Sequence, residues 1–217
     1  MDLRFQRCKL LFGEESFRKI QNTKVLILGV GGVGSYALDC LYRSGISNIT
    51  VVDYDRFDIT NQNRQIGSER VGEFKVDVLK ELYPKIETIN QKMDIEWVRG
   101  FDFEPFDYVI DSADTTPVKV EVAKRAYSKL IMSAGSAKRW DSSKIEVASI
   151  WKTHGNSLAR KIRSELRRAG FKKDFKVVFS SEEEKTKTNG SFVGVTGSFG
   201  LRICSEVVKD ILEKGSK

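Results

Sequence analysis

The chain has 217 residues, of which 40% are hydrophobic and 31% charged, and its net charge is +7. This length suits one α/β domain with an added segment, and the composition excludes wholesale disorder. No apolar run approaches the roughly 18 residues that cross a bilayer, and residues 1–10 do not resemble a signal peptide, so we expect a cytoplasmic protein without membrane contact. The three scattered cysteines form neither a disulfide framework nor a CxxC pair.

The hydrophobic pattern alternates between strand and helix through the first 135 residues. Helices are expected at 14–22, 32–45, 74–82 and 118–129, and strands at 24–30, 48–53, 92–98, 106–111 and 130–134. This order predicts an α/β, Rossmann-like, doubly wound and mostly parallel sheet with a C-terminal strand–helix extension. The remaining segments are a strand at 144–151, a basic helix at 156–169, a polar loop at 180–190 that we expect to be mobile, and a helix at 198–212.

The positive charge is concentrated in the C-terminal part. Residues 150–180 contain nine lysines or arginines and two acids, so this segment carries the whole net charge. The cations of its predicted helix are Arg160, Lys161, Arg163, Arg167 and Arg168. A polynucleotide partner would explain them, and a solvated charged surface is the alternative. We expect this helix in an extension (153–217) of the same domain as a nucleotide-binding core with an N-terminal arm (1–152).

A glycine-rich turn follows the first predicted strand. Gly29, Gly31 and Gly34 have the GxGxxG spacing, and a helix is expected directly afterwards. In such a turn Gly29 permits a tight bend, Gly31 lets a phosphate approach the backbone, and Gly34 lets the helix pack against the sheet. Asp53 ends the second strand, where a carboxylate would bind ribose hydroxyls. The motif predicts a nucleotide site, with a turn that binds no ligand as the alternative, and it does not distinguish NAD from ATP.

Charged residues after later strands favour phosphate chemistry. Arg64 lies in a polar loop, Lys75 begins the next predicted helix, and Asp111 and Asp114 end a later strand. The carboxyl ends of parallel strands share one edge, so these side chains should converge with Asp53. Hydride transfer has no obvious use for two extra cations and a second acidic pair. Adenylate formation needs cations for the developing phosphate charge and a carboxylate for Mg²⁺.

Each of these residues also has a simpler explanation. Lys75 would be a solvated first-turn lysine, Asp114 a helix cap, and Arg64 the partner of a surface acid. Only the full set, in order after a glycine loop, favours an ATP site.

Five sequence features together resemble the ThiF/MoeB superfamily of ubiquitin-activating-type adenylating enzymes: GVGGVGS, VVDYD, NQNRQ, the VGxxK spacing and the DxxD at 111–114. The resemblance covers roughly residues 4–152 well and implies ATP and Mg²⁺ as cofactors, with an arginine finger at Arg64, phosphate contact by Lys75 and Mg²⁺ binding by Asp114. It also implies a homodimer in which Arg7 reaches the ATP of the neighbouring subunit. The implied ATP contacts are Gly29, Gly31, Gly32, Gly34, Asp53, Asp55, Asn61, Asn63, Arg64, Lys75, Asp111 and Asp114.

Within the superfamily the chain looks like the tRNA threonylcarbamoyladenosine dehydratase branch. It lacks the CxxC pairs of the sulfur-carrier enzymes, so we expect no structural zinc, and RFQRCKLLFGEE and the LARKIR of the basic helix look like that branch. The resemblance implies dehydration of threonylcarbamoyladenosine in tRNA through an acyl-adenylate, and it leaves open a cysteine-desulfurase sulfur-relay partner. Residues 133–140 are more basic than the branch pattern, and the segment around 180–190 is shorter.

Three other functions are compatible with the sequence. The chain would activate the C-terminus of a ubiquitin-like sulfur carrier, would bind nucleotide without catalysis, or would be a nicotinamide dehydrogenase. The basic helix and the missing CxxC pairs count against the first, and the set of Arg64, Lys75 and Asp114 counts against the other two.

Overall fold

A seven-stranded sheet lies between two layers of helices in the computed structural model, which describes residues 3–214. The strands are β1 (Lys24–Leu28), β2 (Asn48–Asp53), β3 (Glu87–Asn90), β4 (Tyr108–Asp111), β5 (Leu130–Ala134), β6 (Ile145–Ser149) and β7 (Lys176–Ser180). Their order is β3-β2-β1-β4-β5-β7-β6, and every neighbouring pair is parallel except β6 with β7. The predicted Rossmann-like, mostly parallel sheet is confirmed.

Helices connect these strands. They are α1 (Gln6–Phe12), α2 (Glu14–Asn22), α3 (Gly34–Arg43), α4 (Lys75–Leu82), α5 (Ile95–Gly100), α6 (Thr116–Ala126), α7 (Ser157–Arg168) and α8 (Val193–Lys214). Short 3-10 turns occur at Leu3–Phe5, Ile59–Asn61, Tyr127–Lys129, Ser142–Lys144 and Ile150–Lys152. Among residues 3–214, no helix combines the length and the apolarity that crossing a bilayer requires.

Successive residues of the central strands face opposite helix layers. Val25 and Ile27 of β1 belong to the hydrophobic cluster that includes α3, α4 and α8, whereas Leu26 and Leu28 belong to the cluster that includes α5, α6 and α7. All four side chains are fully buried. Burial on both faces explains why β1 is a continuous apolar run rather than an alternating one.

The prediction of a strand at 92–98 is wrong. Asp94 Oδ1 accepts a hydrogen bond from Trp97 N at 2.8 Å and so caps the start of α5, on which Val98 is buried. The strand beside β2 is instead β3, whose ETIN sequence is only partly buried because it lies at the sheet edge. An edge strand needs no apolar run, so the hydrophobic pattern did not reveal it.

The last helix begins at Val193, earlier than the predicted start at 198. Small residues in its first turns let it cross α3 closely. A Cβ at Gly200 would lie 2.5 Å from Val33 O and 2.7 Å from Ala37 N, so only glycine fits this crossing. The close packing of α8 on α3 fixes the helix that follows the glycine loop.

Candidate functional site

The glycine loop joins β1 to α3 and has the geometry expected of a phosphate-binding turn. Gly29 has a φ of +84°, which favours glycine, and a Cβ at Gly34 would lie 2.6 Å from Ser112 Oγ and closer still to Gly29 O. Within residues 3–214, the backbone N–H groups of Gly31, Gly32 and Val33 make no hydrogen bond. A run of open N–H groups at the start of a helix is a suitable cradle for an anion.

Asp53 lies at the end of β2 and supports this loop. Its Oδ2 accepts a hydrogen bond from Val30 N at 2.8 Å, and its Oδ1 accepts one from Asp55 N at 2.9 Å. Each carboxylate oxygen can accept two hydrogen bonds, so Asp53 retains capacity for ribose hydroxyls. The carboxylate is 6% exposed and is held by the backbone on two sides.

Lys75 is not a solvated first-turn lysine. It is 5% exposed, its Nζ lies 3.0 Å from Asp55 Oδ2, and its backbone N donates to Asp55 O at 3.0 Å. The start of α4 is thereby tied to the residues that follow β2. Lys75 therefore carries its charge in a fixed position against Asp55, whose backbone N donates to Asp53.

The polar loop 61–65 places Arg64 over the glycine turn. A Cβ at Gly32 would lie 3.1 Å from Arg64 Cγ, and the Arg64 guanidinium donates to Thr60 O at 2.9 Å and to Asn63 Oδ1 at 2.8 Å. Arg64 thus lies beside the open N–H groups of the glycine loop, and no acid pairs with it among the described residues. Asn61 Oδ1 accepts from Asp58 N at 3.2 Å and closes a 3-10 turn, so this oxygen serves the loop itself.

Gln65, in the same loop, lies near the nucleotide turn although the sequence did not single it out. It is 8% exposed, its Oε1 has no hydrogen-bond partner, and its Nε2 lies 3.8 Å from the position of a Cβ on Gly31. A buried acceptor without a partner is costly, so a donor from a ligand would stabilise it. In the sequence, only its position next to Arg64 in the NQNRQ string could have indicated that Gln65 belongs to the candidate site.

The end of β4 contains a buried ion pair that the sequence did not predict. Asp111 is fully buried, and its Oδ1 lies 3.1 Å from the Nζ of Lys119, which is 1% exposed. Lys119 also donates to Asp111 O at 3.2 Å and to Ser133 O at 3.0 Å, so one cation joins the ends of β4 and β5. Burial raises the pKa of Asp111, and Lys119 opposes that rise. The structure therefore places Asp111 beneath the candidate site rather than at its surface.

Asp114 lies above this pair and is exposed. Thr115 precedes α6 without a side-chain cap, and Asp114 makes no hydrogen bond or ion pair to any residue between 3 and 214, so the helix-cap explanation does not apply. In the described range no three His, Cys, Asp or Glu side chains are grouped to hold a metal. Mg²⁺ commonly binds through one or two carboxylates and the phosphates of its substrate, and a single free carboxylate fits that pattern.

Arg7 is exposed on α1, which packs against α2. The same helix exposes Leu10 (80%) and Leu11 (76%), an unusual amount of apolar surface for so short a segment. Among residues 3–214, no hydrogen bond or ion pair links Arg7 to the glycine loop of its own chain.

The basic helix α7 has its apolar face against the sheet, where Ala159, Ile162 and Leu166 are fully buried. Its cations differ in their surroundings. Arg163 donates to Thr153 Oγ1, Arg167 lies 5.6 Å from the Trp151 ring, and Arg168 pairs with Glu165 at 2.7 Å. Arg160 and Lys161 are exposed and contact no charged or aromatic partner among the described residues. Partial burial, followed by repulsion from Arg167 and Arg160, lowers the pKa of Arg163, as expected where three cations line one edge.

Asn156 joins this helix to the carboxyl edge of the sheet. Its Oδ1 accepts a hydrogen bond from Ala159 N at 2.9 Å and caps the N-terminus of α7, while its Nδ2 donates to Ala134 O at 3.1 Å and to Ser180 O at 3.2 Å. The basic helix therefore begins at the same edge as Asp111 and Asp114.

Two further segments cover the ends of β5 and β7, and we call residues 135–141 and 181–191 together the cap. They correspond closely to the two segments that depart from the branch pattern. Lys138 N donates to Gly190 O at 2.8 Å, and Lys185 N donates to Lys138 O at 2.9 Å, so the polar loop is docked by backbone hydrogen bonds. Asn63 Nδ2 donates to Ser191 O at 3.0 Å and connects the cap to the polar loop of the nucleotide site.

Comparisons with known proteins agree with this geometry. Residues 5–217 match the ThiF family. The tRNA threonylcarbamoyladenosine dehydratase of Bacillus subtilis (strain 168) is 40% identical over 190 residues, which cover 82% of this chain and 74% of that protein. The crystal structure of E. coli tRNA N6-threonylcarbamoyladenosine dehydratase, TcdA, in complex with ATP has a TM-score of 0.92 at 28% identity, covering 98% of this chain and 95% of that chain. The adenylyltransferase and sulfurtransferase UBA4 of Vanderwaltozyma polyspora is 36% identical over 110 residues, covering 48% of this chain and 25% of that protein.

Proposed function

The chain belongs to the ThiF family, and from this premise we propose that it is an ATP-dependent tRNA threonylcarbamoyladenosine dehydratase. The observation that carries the proposal is the convergence of open N–H groups, a buried cation and a free carboxylate at one edge of the sheet. These are the glycine loop, Lys75 and Asp114. The basic helix begins at that same edge and supports a polynucleotide substrate.

The first chemical step is adenylation of the threonyl carboxylate. A carboxylate oxygen attacks the α-phosphorus of ATP, the bond from that phosphorus to the bridging oxygen breaks, and pyrophosphate leaves. The glycine-loop N–H groups and Asp53 would hold phosphate and ribose, while Lys75 and Arg64 would neutralise the charge that develops on the phosphates. Both cations are held by neighbours before substrate arrives, Lys75 by Asp55 and Arg64 by its own loop.

Asp114 is the residue that would hold Mg²⁺, and the ion would supply charge neutralisation on the phosphates. The fit rests on the exposure of Asp114 and on its lack of any partner among residues 3–214. Its neighbour Asp111 is occupied by Lys119, so Asp114 is the carboxylate of the DxxD string that faces solvent.

The second step closes a ring within the nucleoside. The ureido group next to the activated carboxyl attacks the acyl carbon, loses one proton, and AMP leaves. The nucleoside loses one water overall, and ATP is converted to AMP and pyrophosphate. Attack within one molecule has a large effective concentration, so this step requires no nucleophile from the protein.

We further propose a homodimer in which the partner subunit's Arg7 completes the ATP site. The apolar side chains exposed on α1 support an interface there. A groove of about 610 Å³ between α3 and α4 begins at Arg64 and includes Leu82 and Val193, so a second copy that fills it would lie beside the ATP loop. Mixing Arg7→Ala chains with Arg64→Ala chains should restore part of the activity, because one site of each mixed dimer is then complete. A monomer in sedimentation, or no complementation, would contradict this arrangement.

The function is tested by mass spectrometry of nucleosides. The protein is incubated with ATP, Mg²⁺ and tRNA that bears threonylcarbamoyladenosine, and the tRNA is then digested. We expect the modified nucleoside to lose one water only when ATP is present, with AMP and pyrophosphate formed in equal amounts. Unchanged tRNA, together with adenylation of a ubiquitin-like carrier protein, would replace this proposal by the carrier-activating function.

A further inference from the structure

Buried polar contacts hold the two segments of the cap together. The Arg139 side chain is 5% exposed, and its guanidinium donates to the carbonyls of Glu182 (3.0 Å), Gly135 (2.9 Å) and Ala137 (2.8 Å). The buried carboxylate of Glu182 accepts hydrogen bonds from Trp140 N at 3.1 Å and Asp141 N at 2.9 Å. The backbone on both sides of Trp140 is therefore fixed by groups within the cap.

This fixed backbone presents Trp140 to solvent. The residue is 66% exposed, and Lys185 Nζ lies 5.2 Å from the centre of its ring. The other tryptophans are packed: Trp97 against Phe101, with 4.6 Å between ring centres, and Trp151 through a hydrogen bond to Lys173 O at 2.9 Å. A large aromatic ring that is oriented by its backbone, yet mostly uncovered, is suited to binding a flat partner.

The position of Trp140 links the two regions that the proposed function uses. Lys138 N and Asn63 Nδ2 donate to consecutive carbonyls, those of Gly190 and Ser191, so the cap adjoins the loop that carries Arg64. On its other side Ser157, the first residue of α7, donates to Glu184 of the cap. A strand of RNA that lies along the basic helix and enters the ATP edge would pass the cap.

We propose that Trp140 is a stacking platform for an unpaired nucleobase of the tRNA, adjacent to the nucleoside whose carboxylate is adenylated. The proposal rests on the proposed function. Bases of single-stranded RNA stack on aromatic side chains, and a neighbouring cation such as Lys185 strengthens contact with the base and its phosphate. Of the four acids of the cap, Glu182 is buried under the Trp140 backbone, Glu184 pairs with Lys138 at 3.2 Å, and Asp141 accepts hydrogen bonds from Ser143, which leaves Glu183 exposed. Lys185 Nζ also lies 3.6 Å from Glu182 Oε1.

The test compares Trp140→Ala with Trp140→Phe in the full-length protein. The probe is an anticodon stem–loop RNA with threonylcarbamoyladenosine in its loop, and affinity is measured over a series of salt concentrations. We expect Trp140→Ala to weaken binding roughly 5- to 150-fold, the range that base–aromatic stacking supplies, and Trp140→Phe to recover most of the loss. The salt dependence should stay unchanged in both variants because no phosphate contact is removed. ATP affinity, measured without RNA, should equal that of the wild type.

Three results would overturn the platform. Wild-type affinity in Trp140→Ala means that no base stacks there. A flatter salt dependence means that the loss comes from displaced cations rather than stacking. A change from dimer to monomer in sedimentation means that the ring contacts a second copy. If the wild-type protein neither binds nor dehydrates the tRNA, the proposed function fails as well. If the wild type and Trp140→Ala dehydrate the tRNA equally well, the proposed function stands and only the stacking role of Trp140 is ruled out.

Discussion

The proposed ATP edge and the basic surface of α7, to which we assign tRNA binding, hold their charged groups in different ways. At the ATP edge, Asp53 and Lys75 are 6% and 5% exposed and are bonded to backbone or to a counter-ion. On α7, Arg160 and Lys161 are exposed, with no partner among the described residues. Chemistry at one phosphorus atom needs groups fixed to within a fraction of an ångström, whereas a polyanion is attracted by mobile cations over several ångströms. The effects of substitutions in the two regions should therefore differ in kind as well as in magnitude.

The largest effect is expected beneath the ATP edge. Lys119→Met leaves the buried Asp111 without its counter-ion, and removing one partner of such a pair typically costs about 3–5 kcal/mol of unfolding free energy. Urea unfolding measures the loss, and Lys119→Met combined with Asp111→Asn should recover part of it. A loss below about 1 kcal/mol, within the range of surface pairs, would contradict the structural role of this pair.

The same variant should show a characteristic pH dependence. Burial already raises the pKa of Asp111 above its ordinary value, and loss of Lys119 raises it further. A carboxyl whose pKa is higher in the folded state than in the unfolded state favours folding at low pH and loses that contribution as the pH rises. The stability deficit of Lys119→Met should thus shrink as the pH is lowered towards about 4. A deficit that grows on acidification would contradict this assignment.

The next effect is on catalysis alone. Asp114→Asn removes the free carboxylate assigned to Mg²⁺, and we expect ATP turnover to fall by about 100-fold or more, the scale of a lost electrostatic group at a transition state. The matched control is Glu96→Gln, which neutralises an exposed acid on α5. Both variants should keep wild-type unfolding curves. Undiminished turnover in folded Asp114→Asn would remove the Mg²⁺ assignment.

Neutralising the basic helix should weaken tRNA binding without altering the ATP site. We expect the triple variant Arg160→Gln, Arg163→Gln, Arg167→Gln to bind tRNA less tightly across sequences. The salt dependence should flatten by roughly 0.7–0.9 log units per decade of salt for each phosphate that the helix no longer neutralises. The control neutralises three lysines away from α7: Lys85, Lys92 and Lys209. If the two triple variants bind tRNA with the same affinity and salt dependence, α7 is only a solvated surface. Activation of a ubiquitin-like carrier protein would then be the better supported function.

The smallest effect concerns the residue that joins the two regions. Asn156→Ala removes the N-cap hydrogen bond of α7 and the two hydrogen bonds that Nδ2 donates. Losing the N-cap bond alone lowers the free energy of unfolding by about 1 kcal/mol. Asn156→Ser retains a side-chain oxygen that can accept from Ala159 N, but its hydroxyl cannot donate to both Ala134 O and Ser180 O. The midpoint of thermal unfolding should therefore be highest for the wild type, lower for Asn156→Ser and lowest for Asn156→Ala. Equal stability of the Ser and Ala variants would mean that the hydrogen bond to Ala159 N contributes nothing to stability.

Local sequence patterns determined much of the nucleotide-binding half. The apolar run of β1, the glycine spacing and the acid at the end of β2 predicted a strand, a turn and a helix in positions that the structure confirms. These features were predictable because each depends on residues close together in the chain and on burial of a whole strand face. The pattern failed at β3 because an edge strand buries too little apolar surface to mark it.

Contacts between distant segments were decided only by the tertiary structure. Nothing in the sequence pairs Lys119 with Asp111, and it is the alignment of β4 and β5 that brings both together with Ser133. Asn63 meets Ser191 across 128 residues of sequence. No local period records such a contact, because its stability comes from burial and hydrogen bonding that exist only once the sheet has aligned the ends of its strands. The sequence by itself determined the charge of α7 and the presence of Trp140, and the fold decided that both lie beside the ATP edge.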